Sequence, residues 1–215
     1  MRQQTKTDIL LGVFIASLMA ANFLGGKITM IAGISVSVGI FAYPLSFVVT
    51  DIVEEVLGRE KTKNFVLAGF IGLVLALGLT LLSVAMPAAD RYSYNNEYKL
   101  IFSSSIRMIL ASLVAFSLSQ SHDIWAFNFW KNKTKGKFLW LRNNLSTIVS
   151  QFIDTTIFMF IAFYAITPKF TVGFIFSLII PYWLFKVVFA LLDTPFVYLG
   201  VKWLKQDNRV ENSEQ

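Results

Sequence analysis

LSFVVTDIVEE, residues 45–55, sets three carboxylates, Asp51, Glu54 and Glu55, at the end of an apolar run, and LSTIVSQFIDT, residues 145–155, echoes it. Leu45 aligns with Leu145, Ser46 with Ser146, Val48 and Val49 with Ile148 and Val149, and Thr50 with Ser150. Asp51 then falls on Gln151 and Glu54 on Asp154. In a helix, side chains three apart share a face. Each segment would therefore present a polar pair on one side of an otherwise apolar rod.

What surrounds the two segments decides where such rods sit. The chain of 215 residues is 55% hydrophobic and 15% aromatic, with a mean hydropathy of +0.61. A soluble domain of that length cannot hide so much apolar surface. Apolar runs near 8–24, 65–86, 100–121, 144–166 and 172–200 are long enough to cross a hydrocarbon core of about 30 Å. A sixth, near 40–57, is weakened by Asp51, Glu54 and Glu55. The positive-inside rule tests this division. With the N-terminus inside, thirteen basic residues fall on the cytoplasmic side: Arg2, Lys6, Arg59, Lys61, Lys63, Lys131, Lys133, Lys135, Lys137, Arg142, Lys202, Lys205 and Arg209. The outside receives Lys27, Arg91, Lys99 and Lys169. Removing the weak second span would move the 59–63 cluster to the wrong face. The expected fold is an all-α integral membrane protein, one domain over 1–215 with six transmembrane helices, both termini cytoplasmic and a frayed polar tail at 206–215.

The same distribution disposes of other classes. The net charge of +6 is a topology signal, so no nucleic-acid partner is expected. Residues 1–24 resemble a signal peptide but lack a small-residue cleavage site. There is no cysteine, hence no thiol nucleophile or Cys metal site. His122 stands alone, and no GxSxG elbow or GK[ST] phosphate loop occurs. Neither an enzyme nor a cofactor or metal is expected. Residues 27–39 alternate apolar and small polar types, which suits a short extracellular β-hairpin or, equally, an extended loop. HDIWAFNFWKNK, 122–133, suits a segment resting at the cytoplasmic interface, and Arg107 an interfacial position.

Three spans per half make any repeat between the segments an inverted 3+3 repeat, an arrangement that builds transporter sites at the bilayer midplane. Asp154 lies about ten residues, or about 15 Å, into its span, with Gln151, Thr147 and Asn144 continuing its face. Lys186 is near mid-depth in the last span and Asp193 two turns below. An ionised residue at the bilayer centre costs about 2.5–3.5 kcal/mol, so Asp154 and Lys186 must face an interior. Two roles stay open for Lys186: pairing with Asp51 or Asp154 to tie the bundle together, or meeting a ligand. Pro44, behind Tyr43 at the start of the second span, and Pro181 in the last can bend both.

AANFLGGK (20–27), FAYPLSFVVTDIVEEVLGREK (41–61), WLRNNLSTIVSQFIDT (140–155) and YWLFKVVFALLDTPFVYLG (182–200) resemble the queuosine precursor transporters, earlier grouped as vitamin uptake transporters. The resemblance covers nearly the whole chain. It implies a multi-pass protein of the bacterial inner membrane that imports 7-cyano-7-deazaguanine and 7-aminomethyl-7-deazaguanine, with queuine or the nucleoside taken by some relatives. The residues suit that substrate. A deazaguanine edge offers a ring N–H beside an amine, which one carboxylate, Asp154 or Asp51, accepts together, while an amide serves the neighbouring carbonyl. Asn22, Asn143, Asn144 and Gln151 supply amides, and Phe47, Phe158 or Tyr182 a stacking face. Glu54, Lys186 and Asp193 complete the expected substrate-binding set. The partners are then the substrate and the lipid bilayer, with homo-oligomer formation and proton coupling left open. The rival reading is the substrate-binding subunit of an energy-coupling-factor transporter, docking an ATP-driven module through small residues such as Ala16 and Ala20.

Overall fold

The computed structural model describes residues 2–133, 139–192 and 194–206. The side chains of Arg59, of most of 120–147 and of 190–194 are outside that description. The chain forms α1 (Gln3–Leu24), a hairpin of β1 (Ile28–Ile31) and β2 (Ile34–Ser37), a 3-10 turn (Val38–Phe41), α2 (Tyr43–Leu57) and α3 (Arg59–Ala85). After these come α4 (Asn95–Lys133), α5 (Leu139–Phe163), α6 (Val172–Leu192) and α7 (Thr194–Lys205).

Local chemistry sets these boundaries. Ile28 pairs with Ser37 and Ile31 with Ile34 across a turn in which Ala32 and Gly33 both have positive φ, 48° and 81°, the requirement of a tight hairpin turn. The alternation in 27–39 is therefore a strand pair rather than an extended loop. Pro44 occupies the first turn of α2, where its missing N–H costs nothing. Gly58, with φ of 81°, separates α2 from α3. Met86 turns extended before Pro87, as a residue preceding proline does.

One expected boundary moves. The 100–121 span lies within a helix of 39 residues that continues through 122–133, since neither Gly nor Pro occurs between Asn95 and Lys133 to stop it. The described residues of the 172–200 span form α6 and α7, on either side of residue 193.

Among the described residues four helical stretches are long and apolar enough to cross a membrane: Gln3–Leu24, Glu60–Ala85, Asn95–Ser119 and Val172–Phe189. At 15 residues, α2 rises about 22 Å, less than a full span, and the apolar stretch Ile148–Phe163 of α5 also falls short. Leu67, Ile71, Leu75, Leu79 and Leu82 are all exposed along one stripe of α3, the surface a helix offers to lipid rather than water.

Two apolar clusters hold the bundle. At the hairpin end Val36 and Ile40 pack with Met108, Phe158, Phe163 and Tyr182. There Gly25 and Gly39 let the 3-10 turn press on α1: a Cβ on Gly39 would lie 2.8 Å from the Ala21 carbonyl oxygen. Arg107 on α4 donates to the carbonyls of Ile161 and Tyr164, satisfying orphan acceptors at the end of α5. At the other end Leu10, Phe14, Ile52, Val53, Phe65 and Leu204 pack together, and Gly200 of α7 lies hard against Ile52 of α2. Lys6, 4% exposed, donates to the Trp203 carbonyl at 2.8 Å.

Candidate functional site

Between the two clusters lies a cavity of about 360 Å³ walled by helices α1 to α6. The polar face of α2 brings Ser46, Thr50, Asp51 and Glu54 to it, and that of α5 brings Gln151 and Asp154. The two echoing segments thus meet across one space. Exposure rises along α2, from Ser46, 5% exposed, to Asp51 and Glu54, which are exposed. The hairpin end is closed by packed side chains, so the cavity opens toward Glu54.

At its centre is an ion pair. Lys186 Nζ donates to Asp154 Oδ2 at 2.8 Å, with side chains only 7% and 23% exposed. The Ser119 hydroxyl makes a long 3.5 Å bond to Asp154 Oδ1. The Lys186 ammonium lies 5.2 Å from the Tyr43 ring centroid and 6.0 Å from that of Tyr182, and the two rings meet edge-on at 6.0 Å. Aromatic faces stabilise a desolvated cation, which helps to explain how an ammonium is held this deep. Of the two roles open for Lys186, pairing with Asp154 is observed, in a position that also lines the cavity.

The amides divide. Asn22, 2% exposed, is engaged on both atoms: Nδ2 donates to the Leu18 carbonyl at 2.9 Å and Oδ1 accepts from Ser112 Oγ at 2.7 Å. Gln151 contrasts with it, since its Oε1 is buried and accepts from nothing among the described residues. Such atoms are rare in native proteins and call for an explanation. The side chains of Asn143 and Asn144, and residue Asp193, lie outside the described residues.

Of the expected aromatic faces, Phe47 and Phe158 line the cavity, and Tyr43 stacks on Phe47 with centroids 6.4 Å apart. Tyr182, 2% exposed, is not on the lining but backs Lys186 and Tyr43. Tyr43, Thr50, Ser112 and Ser119 are lining residues that sequence reading did not select. Small hydroxyl side chains are common in packed membrane helices, and nothing in their local pattern sets these apart. His122, one turn beyond Ser119, sits 3.0 Å from Ser150 Oγ and ties α4 to α5. Chemically the site offers one buried cation, a carboxylate and an unsatisfied amide oxygen between aromatic walls. No group of three metal-ligating side chains occurs among the described residues.

Comparison with known proteins yields a consistent set. The family described as "Putative vitamin uptake transporter" matches residues 37–200, which take in every cavity wall except α1. The "Probable queuosine precursor transporter" of Bacillus subtilis (strain 168) is 31% identical over 194 residues, covering 89% of this chain and 82% of that protein. The "Queuosine precursor transporter" of Escherichia coli (strain K12) is 25% identical over 145 residues, 67% of this chain and 63% of that one. No solved structure matches.

Proposed function

The chain belongs to the vitamin uptake transporter family, and from that premise we propose that it carries a 7-deazaguanine precursor of queuosine across a bacterial inner membrane, bound in the cavity between α2 and α5. Two relatives bear the queuosine precursor name, and the family transports its ligand rather than transforming it. The observation that carries the reading is the Asp154–Lys186 pair beside Gln151 in an aromatic-walled cavity of about 360 Å³. A flat, polar-edged heterocycle suits such a space.

In this reading the chain crosses the membrane six times with both termini cytoplasmic. The short α2 completes its crossing with the hairpin and 3-10 turn, whose irregular backbone is tolerable because protein covers it. α7 continues α6 toward the cytoplasm. The α2 and α5 segments are the matching elements of an inverted 3+3 repeat, supported by their joint presence at one cavity. The cavity then faces the cytoplasm, and the packed hairpin closes the outer side. Asp154 and Asp51 present carboxylates to the base, Phe47 and Phe158 sandwich it, and Glu54 lines the exit.

Uptake of radiolabelled 7-cyano-7-deazaguanine tests this, in bacterial cells that neither make nor import it. Cells expressing the chain accumulate label and those expressing Asp154→Asn do not. No uptake by the inserted wild-type chain overturns the substrate assignment. Proteoliposomes holding the purified chain alone should also take up label, which a substrate-binding subunit awaiting an ATP-driven module would not.

A further inference from the structure

We propose that Lys186, Asp154 and Gln151 form a donor, acceptor, acceptor row that reads the carbonyl, ring N–H and exocyclic amine of a guanine-type edge, with Gln151 selecting for the amine. This rests on the transport reading and deepens it by giving each polar group of the site a counterpart on the ligand.

Three observations supply the row. The Lys186 ammonium has three donors, and one goes to Asp154 Oδ2 at 2.8 Å; the others have no partner among the described residues. A buried ammonium so placed takes an acceptor from whatever fills the cavity. Among the described residues Asp154 Oδ1 holds only the long bond from Ser119 at 3.5 Å, so it retains capacity for a stronger donor. Gln151 Oε1 is buried and accepts from nothing among the described residues, and a donor carried in by the ligand satisfies it. Asp154 is bonded to Lys186 and shares a face with Gln151 one helical turn away, and this makes it the middle member of the proposed row.

The row is directional. A guanine-type edge presents acceptor, donor, donor in sequence and matches it at every position. An adenine-type edge places an amine against the ammonium and a bare ring nitrogen against the carboxylate, so its first two positions repel. A hypoxanthine-type edge fits the first two and leaves Gln151 Oε1 unsatisfied. Polar discrimination of this kind is stronger than apolar pockets achieve, because a mismatched ligand leaves buried groups unpaired. The sequence alone pairs an amide with the ligand carbonyl; the ion pair gives that role to Lys186 and turns the amide oxygen toward the amine.

The test is equilibrium binding to the purified full-length chain in nanodiscs, using 7-cyano-7-deazaguanine, its analogue without the exocyclic amine, and 7-cyano-7-deazaadenine. Wild type should bind the first about tenfold more tightly than the second and about 100-fold more tightly than the third. In Gln151→Met the first ligand should weaken to the level of the second while the second stays within about twofold. Equal wild-type affinity for the first two ligands overturns the row, as does equal weakening of both by Gln151→Met. The wild-type ratio needs no variant, so a misfolded Gln151→Met leaves the proposal testable. A wild-type chain that binds none of the three overturns the transport reading and this inference together; binding without discrimination overturns this inference alone.

Discussion

The α2 and α5 segments look alike in sequence, yet their carboxylates have opposite surroundings. Asp154 on α5 is partly covered and bonded to Lys186 of α6, whereas Asp51 and Glu54 on α2 are exposed at the open end of the cavity. Helical spacing places both pairs on the cavity face. The neighbouring helix decides which pair is desolvated, and only the desolvated pair can discriminate strongly, because water levels the strength of exposed contacts. The echo in the sequence marks two walls of one cavity; the partner helix sets how far each carboxylate is buried.

The sharpest way to break this contrast is to remove the carboxylate from α5. Asp154→Ala should abolish uptake and, by leaving a buried ammonium unpaired, destabilise the fold by about 3–5 kcal/mol, seen as a lower melting temperature in detergent. The double variant Asp154→Leu with Lys186→Met removes both charges and should recover most of that stability without recovering uptake. If the double variant melts as low as the single one, the pair is not the source of the loss. Packing gives the next effect. Gly200→Val drives a side chain into Ile52 and should destabilise by about 1–3 kcal/mol, lowering the melting temperature while the substrate affinity of the folded fraction changes little. On α2, Asp51→Asn should weaken substrate binding only about threefold, since an exposed charge contributes at most about 1 kcal/mol. Glu54→Gln, nearest the mouth, should be smallest, about twofold in uptake at low salt and less at high salt. If Asp51→Asn proves as damaging as Asp154→Ala, the two segments are functionally equivalent and the contrast fails.

Much of the architecture was legible in the sequence for plain physical reasons. Lipid tolerates only long self-satisfied apolar helices, so α1, α3 and α6 announce themselves by length. The hairpin shows in the alternation of 27–39, and Asp154 with Lys186 shows because charge inside an apolar run demands an interior. Other features are carried by contacts that no local pattern reveals. Ser112 and Ser119 become cavity residues only through what α1 and α5 bring to them. Asn22 looked like a ligand by type, yet Ser112 and the Leu18 carbonyl already engage it.

The contact between Gly200 and Ile52 has a mechanical meaning. With no side chain separating the α7 backbone from α2, and with Ile52 itself buried, α2 cannot shift at this crossing unless α7 follows. The end of the chain is thereby coupled to the wall of the cavity. A spectroscopic label at Lys205, exposed and outside the cavity lining, would therefore serve as a remote gauge of any movement of α2.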